Sequence, residues 1–110
     1  MHANILLAIR YLQREIHDLA KRKGWWSTPR NTGELIALMH SELSEALEGL
    51  RKPGTISDKI GPFLAVEEEL ADCIIRILDA AEGNKWDVAG ALAAKMDYNE
   101  GREYRHGKEF

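Results

Sequence analysis

The stretch that decides the fold runs from Glu42-Leu-Ser-Glu45, across a turn-rich interruption, to Glu69-Leu-Ala-Asp72. Each quartet carries two carboxylates three residues apart, a spacing that on a helix puts both on one side. Two such helices packed side by side bring four carboxylates together, and four like charges in one place need a cation. The flanking residues set the limits of the first helix. Asn31 three residues before Glu34 makes a capping-box pattern, and Lys52-Pro53-Gly54 stops the helix after about Arg51. At about 100° per residue, Leu35, Leu38, Met39, Leu43, Ala46 and Leu50 share an apolar arc. Glu42 falls inside this arc, Glu45 at its edge, and Glu48 points outward. Burying an unpaired carboxylate costs several kcal/mol, so Glu42 requires a cation, a proton or a dedicated partner.

The second quartet sits on a helix expected over roughly Phe63 to Glu82, with Pro62 at its first turn. Val66, Leu70, Cys73, Ile74, Ile77, Leu78 and Ala81 form an apolar arc wide enough for contact on two sides, as in a helix central to a bundle or at a subunit interface. Glu69 borders the arc, Asp72 lies further out on the same side, and Arg76 projects between them. Glu67 projects onto the arc without an evident role. Pro53 to Pro62 reads as a loop with a short helical turn around Ser57 to Ile60, and as the most mobile segment of the chain.

Ahead of this pair, Ile5, Ile9, Leu12, Ile16 and Leu19 recur at spacings of four and three, predicting a first helix from about Asn4 to Lys23 with one buried stripe. Gly24 ends it. The connection Trp25-Trp26-Ser27-Thr28-Pro29-Arg30 carries two adjacent indoles, which must find either an apolar surface or a flat ring to stack on. Beyond the second quartet, Gly83 closes the third helix, and Asn84 with Asp87 three residues on is expected to open a fourth, reaching about Arg102. Trp86, Ala89, Leu92, Ala93 and Met96 make its packing face. Lys95, Asn99 and Arg102 line up on the other side as a stripe of donors. The tail, about 103–110, is polar and carries a small basic patch.

The chain of 110 residues with net charge -3 suits one all-α domain over 1–110. It offers no electrostatic case for nucleic acid or a membrane surface. A single cysteine excludes an internal disulfide and fits a reducing compartment. Met1 leads straight into an amphipathic pattern, so the expected location is the cytoplasm. An all-oxygen ligand set favours Mg²⁺, with Mn²⁺ as the alternative, over zinc or copper. A carboxylate-bridged di-iron site would place His at the second position of a Glu-x-x-His pair, and Glu45 and Asp72 stand there instead. A hard cation beside a donor stripe and free aromatics points to a phosphate-bearing ligand with a ring.

The paired Glu42-Leu-Ser-Glu45 and Glu69-Leu-Ala-Asp72 resemble the ExxE and ExxD motif of the MazG-like all-α nucleoside triphosphate pyrophosphohydrolases, including the dCTP pyrophosphatase branch. Pro29-Arg30-Asn31, Glu68-Glu69-Leu70, Lys95-Met96-Asp97 with Asn99 and Arg102, and His106-Gly107-Lys108 extend the resemblance over nearly the whole chain. It implies a four-helix subunit that forms its bundle as a homodimer or dimer of dimers. It also implies Mg²⁺-dependent hydrolysis of a nucleoside triphosphate to monophosphate and pyrophosphate. Carried over by position, Glu42, Glu45, Glu69 and Asp72 would hold metal, with Glu42 and Glu45 the catalytic carboxylates. Lys95, Asn99 and Arg102 would contact phosphates or sugar, and Trp25, Trp26 and His17 would border the base. The chain departs from the pattern at Ser44, where glycine is common, at Arg51 and Arg76, near positions that are aromatic in the dCTP branch, and in a longer segment from Asn31 to Glu42. Two further expectations remain beside this one: a catalytically silent helical interaction module, and an enzyme of the phosphoribosyl-ATP pyrophosphohydrolase type.

Overall fold

The computed structural model describes residues 2–110 and is all-helical, with no named strand among the described residues. The helices are α1 (Ala3–Arg22), α2 (Thr32–Leu50), α3 (Ala65–Gly83) and α4 (Val88–Glu100), followed by a short 3-10 turn at Tyr104–Gly107. Both α1 and α2 pack on α3, and α4 packs on α1, so α3 is the central helix as its wide apolar arc predicts. No helix among the described residues is long and apolar enough to cross a membrane.

Local chemistry sets the ends. The Asn31 side chain accepts the Glu34 N–H at 2.9 Å, starting α2 at the expected place. α3 begins later than its sequence pattern predicts, because the preceding loop folds back on itself. The Ser57 N–H donates to the Phe63 carbonyl and the Ala65 N–H to the Thr55 carbonyl, both at 2.8 Å, and Ile56 bridges Leu64. Pro62 therefore lies outside the helix, in a cis peptide with Gly61, and not in its first turn. Glu67 gains a role here: its carboxylate accepts the backbone N–H of the N-cap Leu64 at 2.8 Å. No helical turn forms at Ser57 to Ile60. The Ser57 hydroxyl accepts the N–H groups of Lys59 (3.1 Å) and Ile60 (3.0 Å) and donates to buried Glu68 at 2.5 Å. Asn84 ends α3 and does not open α4, since its N–H and side chain both donate to the Ala80 carbonyl. The cap of α4 is Asp87, which accepts the Gly90 N–H at 2.9 Å. The Arg10–Asp87 pair (3.0 Å) and the His2–Asp97 contact (2.5 Å) clamp α4 to α1 at both ends.

Packing departs from the simple apolar stripes. The fully buried residues of α1 are Gln13 and His17, while Ile5, Leu12 and Leu19 of the expected stripe stay exposed. Inside the chain the buried apolar set is Leu35, Ala46, Cys73, Leu78, Ala80, Ala81 and Ala89, of which only two are leucines. Ile36, Leu43, Leu47 and Leu50 on α2, and Leu70 and Ile74 on α3, remain open to solvent.

The loop after α1 is anchored against the C-terminal end of α3. Trp26 lies so close to Gly83 that a Cβ built there would stand 2.3 Å from the indole ring. Overpacking of this kind typically costs 1–3 kcal/mol. Gly83→Ala should therefore lower stability by about 2 kcal/mol in urea unfolding, with a change in Trp26 fluorescence in the folded state.

Candidate metal centre

α2 and α3 deliver the two acidic quartets to one place. Oxygen atoms of Glu42, Glu69 and Asp72 all lie within 4.8 Å of one another. Glu42 is buried at 6 % exposure, as its place in the apolar arc predicts, while Glu69 and Asp72 are half-buried. Glu45 is exposed, lines the same cavity and sits within hydrogen-bonding reach of Glu42 and Glu69. The convergence inferred from spacing is thus present within one chain.

The cluster handles its charge in two ways. Arg76 donates its Nε–H to Glu42 Oε1 at 2.8 Å. Burial pushes the Glu42 carboxyl upward, but the Arg76 guanidinium and hydrogen bonds from Glu69 and Glu45 outweigh it, leaving the group below the ordinary glutamate range. Glu69 has no such cation. Burial, followed by the adjoining Glu45 and Glu42, pushes it up to about 7, so it shares protons with its neighbours near neutrality. Asp72 is also raised, first by burial and then by the charges of Glu42 and Glu68, against the pull of Lys59 and Arg76.

These residues fit a hard divalent cation. Glu42 Oε2 and Glu69 Oε2 are buried acceptors without a hydrogen-bond partner, an arrangement that costs free energy unless a cation, proton or water meets them. Carboxylate oxygens on two facing helices are the ligand type Mg²⁺ and Mn²⁺ take, and the exposed side of the cluster leaves room for water and phosphate oxygens.

The cluster forms one wall of a cavity of about 610 Å³. Ile16, Leu19, Ala20, Trp25 and Ile75 provide an apolar wall, and Lys23, Arg30, Lys59 and Arg76 provide cations. Trp25, as expected from the sequence, lines this space and is exposed. Trp26 and His17 do not line it. The Trp26 Nε1–H donates to both oxygens of buried Asp79 (2.9 and 3.1 Å), and His17 Nδ1 meets Asp79 Oδ1 at 2.8 Å. Their polar atoms hold the loop and α1 onto α3, and Arg30 stacks over both indoles. Lys95, Asn99 and Arg102 also lie outside the cavity of their own chain, because α4 packs mainly on α1. Lys95 and Arg102 instead lie over the Tyr98 ring.

Sequence reasoning missed Asp79, Lys59 and the pairing of Arg76. A signal was present on α3, where Glu69, Asp72, Arg76 and Asp79 recur at spacings of three, four and three, a polar seam along one face.

The raised carboxyl of Glu69 has a definite pH signature in metal-free protein. Its folded value near 7 lies above the ordinary 4.5, so over that interval the folded chain holds a proton the unfolded chain has lost. Its contribution to stability is fully present below about 4.5, falls as pH rises, and is lost above about 7. Glu69→Gln cannot ionise. In urea unfolding with chelator present, its stability relative to the wild type should increase from pH 5 to about 7 and level off above that. Comparison with models of protein families, with curated proteins and with solved structures finds no match to this chain.

Proposed function

We propose that this chain is a Mg²⁺-dependent nucleoside triphosphate pyrophosphohydrolase of the cytoplasmic nucleotide pool. The observation that carries this reading is the meeting of Glu42, Glu69 and Asp72, with two buried oxygens left unpartnered, at the wall of a cavity that also has cations and an apolar side. A cavity of about 610 Å³ is within the range of small-molecule sites. The motif resemblance supplies the reaction class.

A divalent ion held by these carboxylates supplies Lewis acidity toward the phosphate oxygens and the attacking water. Glu42, Glu69 and Asp72 fix its place from the two helices. Glu45, exposed at the mouth and beside Glu42 and Glu69, accepts a proton as water attacks the α-phosphorus. The bond from that phosphorus to its bridging oxygen breaks, pyrophosphate leaves, and the nucleoside monophosphate remains. Leu19, Ile16, Ile75 and the Trp25 indole form the apolar side on which a base would lie.

The active unit is a homodimer or a dimer of dimers. Exposed Leu43, Leu47 and Leu50 follow one another at helical spacing on α2, and Leu70 with Ile74 does the same on α3. Apolar stripes of this extent are what protein interfaces cover.

With Mg²⁺ and a panel of nucleotides, the protein should release pyrophosphate and a monophosphate. Orthophosphate alone contradicts the proposal, release only from phosphoribosyl-ATP moves the enzyme to that class, and no turnover with any metal leaves a silent binding module. Glu42→Gln should abolish turnover, and Glu45→Gln should lower kcat by about 100-fold or more with folding intact by circular dichroism. In sedimentation velocity the wild type should run as a dimer or larger, and Leu47→Asp should shift it toward monomer.

A further inference from the structure

Arg76 is the cation that the acidic cluster already owns, and its bonding is lopsided. Its Nε–H is committed to Glu42 Oε1 at 2.8 Å. Its two Nη groups make no hydrogen bond or ion pair among the described residues, although the side chain is 37 % exposed and lines the cavity. A guanidinium presents donors in a planar fork suited to phosphate, so most of that capacity is unspent on a side chain that lines the cavity. Two of the other three cavity cations are placed against groups outside the cluster. Lys59 pairs with Glu68 at 3.8 Å, outside the cluster, and Arg30 lies over the two indoles 4.0 Å from Asp79. Among the described ion pairs, Arg76 is the cation that engages a carboxylate of the cluster.

Glu42 cannot serve Arg76 and a divalent ion equally. An ion reaching the unpartnered Oε2 would share this 8 % exposed side chain with Arg76, which holds Oε1. Two positive centres on one buried carboxylate repel each other strongly where water is scarce. Arg76 stands four residues after Asp72 on the same face of α3, so a rotation of its long side chain carries the guanidinium from Glu42 into the cavity without moving either helix.

We propose that Arg76 is an exchangeable counter-ion: it neutralises Glu42 in the metal-free protein, yields Glu42 when a divalent ion binds, and then grips a phosphate of the substrate. The phosphate half of this exchange rests on the function proposed above; the metal half does not. The arrangement makes metal and phosphate binding mutually reinforcing, because the ion releases the fork that the phosphate needs.

The test separates the two halves at pH 8.5, where the carboxylates are ionised. Mn²⁺ alone is titrated by electron paramagnetic resonance into the wild type, Arg76→Gln and Arg76→Lys. Removing the internal competitor should tighten Mn²⁺ binding about three- to tenfold in Arg76→Gln, while Arg76→Lys, which keeps a charge, should stay nearer the wild type. With Mn²⁺ present, an α,β-imido triphosphate analogue should bind Arg76→Gln about tenfold more weakly, the opposite sign. In the wild type, the Arg76 Nε–H nitrogen resonance, assigned by its absence from Arg76→Lys, should shift when Mg²⁺ is added and again with the analogue. Weaker or unchanged Mn²⁺ binding in folded Arg76→Gln, or an Nε–H signal that ignores Mg²⁺, overturns the exchange. If the wild type binds no analogue, the phosphate half falls with the proposed function while the Mn²⁺ and resonance results still decide the metal half.

Discussion

A carboxylate in an apolar interface is the constraint on which the rest of this structure depends. Glu42 sits where α2 packs on α3, at a position a leucine could fill. Taking it out of water costs several kcal/mol, and a close pair at an effective dielectric constant near 20 returns roughly 4 kcal/mol. The Arg76 contact at 2.8 Å therefore does little more than offset burial. Its larger effect is on register, since a slide of α2 along α3 would separate the two groups and leave a buried charge unpaired. The second response to the same constraint is on Glu69, whose carboxyl is pushed up to about 7 by burial and then by the adjoining Glu45 and Glu42. One helix pair thus carries a cation and a proton in the two places where a divalent ion would act on both.

The polar seam continues past the cluster and shapes α1. After Arg76, the next residue on that face of α3 is Asp79, bound by His17, by Trp26 and, more distantly, by Arg30. Further on, Gln13 donates to Glu82 and to the Trp86 carbonyl. α1 is accordingly held to α3 in part through amide and imidazole groups, with Ile5, Leu12 and Leu19 left exposed and Ile9 and Ile16 half-buried. Such contacts specify angle and position more narrowly than a row of leucines, because each buried polar atom must meet its partner. The outcome is a cavity lined by the acidic cluster and by Asp79, whose carboxylate is held by Trp26 and His17.

Much of this was legible in the residues and some was not, for physical reasons that differ by element. The four helices follow from periodicity and punctuation, and the Asn31 cap of α2 from a local pattern three residues long. Glu42 could be placed in a buried arc because burial on a helix is a local angular property. The inward turn of Gln13 and His17 could not, since an apolar-stripe reading assigns polar residues outward and their partners lie more than sixty residues away. Arg76 was visible as a position between Glu69 and Asp72, but its bond crosses to another helix, and no spacing within α3 encodes that. Of the donor stripe read on the fourth helix, Lys95 and Asn99 lie on α4 and Arg102 lies beyond its end. That α4 packs on α1, joined to it by the Arg10–Asp87 and His2–Asp97 contacts, is something periodicity does not register. The late start of α3 came from a loop closed by its own backbone hydrogen bonds, also invisible to a helix pattern.

Charge on the cavity wall links these pieces to the proposed reaction. Glu42, Glu45, Glu69, Asp72 and Asp79 face Lys23, Arg30, Lys59 and Arg76, so the fully ionised wall is within one charge of neutrality. A triphosphate has no reason to enter such a space by attraction alone, and the proton on Glu69 changes that only slightly. One divalent ion would reverse the sign of the wall, beside Arg76, whose hydrogen bonding is confined to Nε. In the proposed exchange the order in which charge is supplied would follow from the fold: an ion would meet the buried, unpartnered oxygens of Glu42 and Glu69 first, and a phosphate would find the Arg76 donors once Glu42 had released them. The α4 donors, absent from this wall, are not required for the chain to present net positive charge to a phosphate. With the ion bound, that charge would come from the ion and the wall's own cations, Arg76 of α3 among them.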